Sequence, residues 1–170
     1  MKKATTQVAY KTSHINTLNK ATHPAKRVPV VTLKLIKEAS LLYPTRRIKS
    51  PLDAFELIKD FLLDADREKF YAAYFNTKHE PVAIHPVSVG SLNCSTVHPR
   101  EVYKAALLVN AAAVILSHNH PSGDPTPSTE DISVTKRLRE AGEIIGIEIL
   151  DHIIVGSDTK FYSFKEHGHL

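Results

Sequence analysis

One cysteine, one methionine and no tryptophan occur in the 170 residues. A lone Cys94 can form no internal disulfide and can build no cysteine-rich zinc module, so any metal must be held by His, Asp or Glu. With no base beside it in sequence, Cys94 reads as a free core thiol. No apolar run approaches the roughly 20 residues that span a bilayer, and Lys2 and Lys3 lead into ATTQVAYKTS, which lacks the apolar stretch of a secretory signal. These absences predict a cytoplasmic protein with no membrane contact. Acids are missing altogether from residues 1 to 28, where Lys2, Lys3, Lys11, Lys20, Lys26 and Arg27 give +6; the whole chain carries +4, which leaves −2 for the remainder. The basic character therefore belongs to a polar, aperiodic tail that is expected to be disordered, and whose charge allows a contact with DNA.

The length suits one core of ordinary size plus an extension. Residues 1–28 form the tail, 29–47 a connecting segment and 48–170 the domain. VPVVTLKLI (28 to 36) is β-rich and reads as a short strand, although the following KEASLLY also permits a helix. Ser50, Pro51 and Asp53 then mark a helix start, and Ala54, Leu57, Ile58, Phe61 and Leu62 share one face, which predicts a helix over 51–64. KFYAAYFN and PVAIHPVSVG read as two strands of a hairpin. VHPREVYKAALLVNAAA reads as a helix, AVILSH (113 to 118) as a buried strand, and the stretch from Ser128 as a helix turning Ile132, Leu138 and Ile145 inward. GIEILDHIIVG and FYSF supply two more strands. The order α-β-β-α-β-α-β-β predicts an α/β fold with a mixed β-sheet flanked by helices.

The segment SHNHPSGDPTPSTED (117 to 131) occupies a telling place in that order. His118 and His120 lie at the C-terminal end of a central strand, where open α/β folds commonly form their sites. Two residues apart in extended chain, they leave on the same side. A turn through Pro121, Gly123 and Pro125 can bring Asp131, in the first turn of the next helix, back beside them. Two nitrogens and a carboxylate with an open fourth position is the ligand set of hydrolytic zinc, and it also suits non-haem iron. Each residue has a plainer reading: the histidines can cap a loop, and STED is an ordinary capping box in which Ser128 and Asp131 start a helix.

The pattern His118-x-His120, then Ser128 and Asp131, resembles the signature of JAB/MPN metalloproteases, and HNHPSGDPTPS is similar in detail to their bacterial RadC branch. DREKF, VGSLN, VHPREVYKAAL, GIEILDHIIVG and YSFKEHG resemble RadC segments in the same order, over roughly residues 48 to 170. The resemblance implies a JAB/MPN, cytidine-deaminase-like sandwich that holds Zn2+ through His118, His120 and Asp131 and cleaves a peptide or isopeptide bond of a protein or peptide substrate. Ser128 matches the serine that helps hold the water or the oxyanion. Glu68, in DREKF, matches the place of the catalytic glutamate, whereas Glu80 reads as solvated and Glu101 as a helix N-terminal acid. No helix-hairpin-helix pattern precedes the domain, so the DNA role of full-length RadC proteins does not carry over. A RadC-like nucleic-acid-binding module with a zinc site stands as the second reading, and a zinc nuclease as a third. His98 reads as a helix start, Asp151 and His152 as a packed polar pair or as support for the site. The substrate and the oligomeric state have no signature in the sequence.

Overall fold

The computed structural model describes residues 26–90 and 97–170. Most of the tail and Cys94 lie outside the described residues, and with them the readings of a disordered tail and a core thiol. Residues 26–42 have neither strand nor helix and are exposed, so 28–36 takes up neither of the two expected forms. Its large apolar side chains, from Val28 to Ile36, are exposed.

Among the described residues, eight elements follow in the expected order. Helix α1 spans Pro51–Ile58 and continues as a 3-10 turn over Lys59–Phe61. Its start is the capping box read from sequence: Ser50 accepts from the Asp53 N–H while Asp53 accepts from the Ser50 N–H. Strands β1 (Lys69–Phe75) and β2 (Pro81–Val89) form the hairpin. Helix α2 spans Pro99–Leu108, with His98 as its N-cap, and ends five residues short of the predicted stretch. Strand β3 (Ala113–Asn119), helix α3 (Thr129–Ile145), β4 (Glu148–Val155) and β5 (Phe161–Ser163) complete the fold.

The sheet order is β2-β1-β3-β4-β5. Only β3 and β4 run parallel, so the sheet is mixed, and β3 lies at its centre with all seven residues buried. Alternation along the strands divides the core between the two faces. Phe70, Ala72, Tyr74, Val114 and Leu116 pack with residues of α2 and α3, including Tyr103 and Leu138. Ala73, Phe75, Ala113 and Ile115 pack with α1. Helix α3 buries Asp131, Val134, Thr135, Leu138 and Gly142, a stripe at helical spacing, whereas Ile132 and Ile145 are 38% and 40% exposed. Of the three apolar residues expected to face inward on α3, only Leu138 does.

One irregularity in β4 matters for the site. Val114 pairs with Ile149 but Ile115 pairs with Asp151, so Leu150 is an extra residue in the strand. Such a bulge reverses which side chains face which layer. Beyond it, His152 pairs with Leu116, whose face carries α2 and α3.

Candidate metal centre

Strand β3 delivers the first histidine. His118 lies two residues past Leu116, hence on the same face of the sheet, and is 1% exposed. Phe70, opposite it on β1, stacks on its ring at 5.8 Å. His120 follows the strand but stays tied to β4, because its N–H donates to the Val155 carbonyl at 3.0 Å. The chain then turns at Gly123, whose φ of +80° lies in the left-handed region, and its N–H returns to the His120 carbonyl. This loop packs on Gly156, directly after β4, so closely that a Cβ there would stand 2.5 Å from the Gly123 carbonyl oxygen.

The third residue comes from the start of α3. Ser128 is the N-cap: its hydroxyl accepts from the Asp131 N–H, while its own N–H and hydroxyl reach Asp131 Oδ2 at 2.8 and 2.7 Å. The capping reading and the site reading thus apply to one carboxylate. Oδ1 stands 3.2 Å from His118 Nε2, and Oδ2 stands 3.5 Å from His120 Nε2. The two Nε2 atoms are 3.1 Å apart. A ligand atom from each of His118, His120 and Asp131 lies within 4.8 Å of the others.

The chemistry of these atoms suits a cation. His120 Nδ1 is 2.8 Å from the Asp124 carbonyl, which can only accept, so Nδ1 carries a proton and Nε2 of the neutral ring offers a lone pair. That lone pair, a second imidazole nitrogen and a carboxylate converge where little water enters. The Asp131 contact holds the His120 pKa above the ordinary value, against burial, with the Asp124 carbonyl and the Glu68 charge adding to the rise. A divalent cation bound there would replace that proton. Two imidazoles and one carboxylate fit zinc and other first-row metals, and three protein ligands leave a position open.

The remaining residues expected from the sequence separate clearly. Glu68 lies between α1 and β1, half-buried, and its charge is felt at His120. Glu80 sits at the other end of β1, paired with Asn76 and Arg46. Glu101 is bound to Lys104 at 2.6 Å. Both have depressed pKa values, each chiefly because of the hydrogen bond from that neighbour. Ser128 is brought against Asp131 and is exposed as a residue.

Two contributors, Asn119 and Thr135, carry no sequence signal of their own, and for a third, His152, support of the site is one of the two readings the sequence offers. Asn119, between the two histidines, accepts from the Lys69 N–H and donates to the Arg67 carbonyl. His152 Nε2 lies 2.9 Å from His118 Nδ1, so it supports the site rather than pairing with Asp151 alone. Thr135 Oγ1 lies 2.6 Å from His152 Nδ1. Burial pushes the His152 pKa well below the ordinary histidine value. No helix among the described residues is long and apolar enough to cross a membrane.

The sequence model of the RadC-like JAB domain matches residues 48–169. A UPF0758 protein of Desulforamulus reducens is 51% identical over 152 residues, which cover 88% of this chain and 66% of the relative. A UPF0758 protein of Shouchella clausii is 54% identical over 135 residues, 79% of this chain and 57% of its own. A third, of Methanosarcina mazei, is 45% identical over 158 residues, 93% and 68% respectively. The chain spans between about half and two thirds of the length of most such relatives. Their names state no activity.

Proposed function

The chain belongs to the RadC-like JAB domain family, and from that premise we propose that it is a zinc-dependent hydrolase that cleaves a peptide or isopeptide bond. The observation that carries this reading is the convergence of His118 Nε2, His120 Nε2 and the Asp131 carboxylate at the end of β3. His118, His120 and Asp131 would hold the zinc ion, which when bound would supply the Lewis acidity that makes a water nucleophilic near neutral pH. Glu68 acts as the general base, taking a proton on its carboxylate and passing it to the leaving amine. The Ser128 hydroxyl, at the mouth of the site, turns to donate to the oxygen that gains charge as the carbonyl is attacked.

The choice of an amide over a phosphodiester rests on the family likeness, because an activated water serves either. A screen of the zinc-loaded protein against peptides, isopeptide-linked peptides and single- and double-stranded DNA tests it. Turnover of an amide substrate that stops on chelation and returns with zinc is the expected result. Cleavage of DNA alone would replace the peptidase with a nuclease. Salt-sensitive DNA binding without hydrolysis of any substrate would favour the nucleic-acid module, with the basic residues of 1–28 as its contact.

A further inference from the structure

We propose that Thr135 and His152 form a relay that fixes the tautomer of His118, keeping the proton on Nδ1 and leaving Nε2 as a lone pair facing His120 and Asp131. The inference rests on the reading of that cluster as a metal centre. It follows from counting protons along a chain of three buried contacts.

The chain starts at a group with no choice. The Asp131 carbonyl can only accept, and Thr135 Oγ1 lies 2.6 Å from it, so the hydroxyl proton occupies that contact. A hydroxyl has one proton. At its other short contact, 2.6 Å from His152 Nδ1, Thr135 must therefore accept, which places a proton on that nitrogen. His152 is fully buried, flanked by the Phe164 ring at 4.7 Å and the edge-on Phe70 ring at 5.4 Å. Such surroundings favour the neutral ring, which has a single N–H. Its Nε2 is then an acceptor, and the atom facing it at 2.9 Å, His118 Nδ1, is the donor. The other nitrogen of a neutral His118 has no proton.

Reversing the chain costs a repulsive contact. If Thr135 donated to His152, two oxygens would face each other at 2.6 Å with no proton between them. His118 would then carry its proton on Nε2, aimed at Asp131 Oδ1 and unavailable to a metal. Helix α3 thus acts twice on the centre: Asp131 reaches it directly, and Thr135, one turn later, reaches it through His152 on β4. Outer partners of this kind orient the ligating ring and raise its basicity.

Long-range 15N–1H correlation spectra of the full chain with 15N-labelled histidine read each tautomer directly, in metal-free and zinc-loaded protein. The expected result is His152 with its proton on Nδ1 in both. A proton on His152 Nε2 would overturn the relay whether or not zinc binds. Failure of the wild-type chain to bind zinc would instead overturn the metal reading, and the tautomer would still be measured. In a chelator competition, Thr135→Val should weaken zinc binding by roughly 10–100-fold, the usual loss when an outer partner is removed. Thr135→Ser, which keeps the hydroxyl, should restore most of it. Equal zinc affinity in wild type and folded Thr135→Val would overturn the proposal.

Discussion

Asn119 fastens the chain on both sides of Glu68: its amide oxygen accepts from the Lys69 N–H at 2.8 Å, and its amide nitrogen donates to the Arg67 carbonyl at 3.1 Å. The Glu68 carbonyl between them accepts from the Gly90 N–H at 3.0 Å. The residue that separates the two histidines is thereby the one that sets where the proposed base leaves the backbone. Asn119→Ala removes both side-chain bonds and leaves the part-buried Lys69 N–H and Arg67 carbonyl without those partners. It should lower stability by about 1–3 kcal/mol while leaving zinc content at wild-type level. Urea denaturation and elemental analysis check the two halves. An unchanged midpoint would mean that the Glu68 segment is held by other contacts.

The loop behind His120 depends on a residue with no side chain. A Cβ on Gly156 would lie 2.5 Å from the Gly123 carbonyl oxygen and 2.8 Å from Pro125 Cδ, too close for both to stay where they are. Gly156→Ala should push that loop outward, disturb the contact between His120 Nδ1 and the Asp124 carbonyl, and weaken zinc binding along with stability, by about 1–3 kcal/mol for the latter. Gly146→Ala is the control: nothing lies within 4 Å of its Cβ, and only its φ of +79° resists substitution. It should cost stability and leave zinc affinity alone. Equal zinc affinities in the two variants would detach Gly156 from the site.

Asp151 links stability to pH. Burial raises its pKa, and the donors around it, Ser163 Oγ at 2.6 Å and the N–H groups of His152 and Lys165, offset this only in part. The folded chain therefore binds the Asp151 proton more tightly than the unfolded chain does. The resulting stabilisation is complete below the unfolded pKa and is lost as pH rises through the higher folded value. Asp151→Asn is neutral throughout, so its stability relative to wild type should improve as pH rises from the ordinary carboxylate range of about 4 through the higher folded value. Urea titrations across that range test the sign, and a flat difference would count against the shift.

The elements beyond residue 48 were legible because each carries local chemistry. Ser50 and Pro51 mark α1, alternation marks β1 and β2, and the apolar run from Ala113 marks β3 as a buried strand. The three groups of the candidate centre were legible for the same reason: strand spacing aligns His118 with His120, and the capping position of Asp131 fixes its direction. His152 was legible only as one of two readings, because strict alternation from Ile149 would put Ile153 rather than His152 on the face of His118. The extra residue at Leu150 reverses this, and a bulge of that kind leaves no mark in LDHIIVG. Thr135 and Asn119 were hidden because their roles are contacts across 17 and 50 residues, which no local pattern encodes. On α3, Ile132 and Ile145 are apolar yet lie off the buried stripe, which holds the polar Asp131 and Thr135 along with Gly142, so apolarity alone does not mark the inward face.

The roles of base and ligand separate in a pair of substitutions. Glu68 contributes to the potential at His120, yet it is not one of the three residues whose ligand atoms converge. Glu68→Gln keeps size and polarity but cannot accept a proton, so zinc should stay at full occupancy while turnover falls on the order of 10²–10⁴-fold. Asp131→Asn acts on the centre itself. It removes an anionic ligand and weakens the cap that Ser128 forms with Oδ2, so zinc affinity, rate and stability should fall together. Elemental analysis, thermal melts and turnover on whichever amide substrate the screen identifies measure all three. Near-normal hydrolysis by Glu68→Gln would remove Glu68 as the base. Glu80 and Glu101 are poor replacements, since each is already held in ion pairs with basic neighbours.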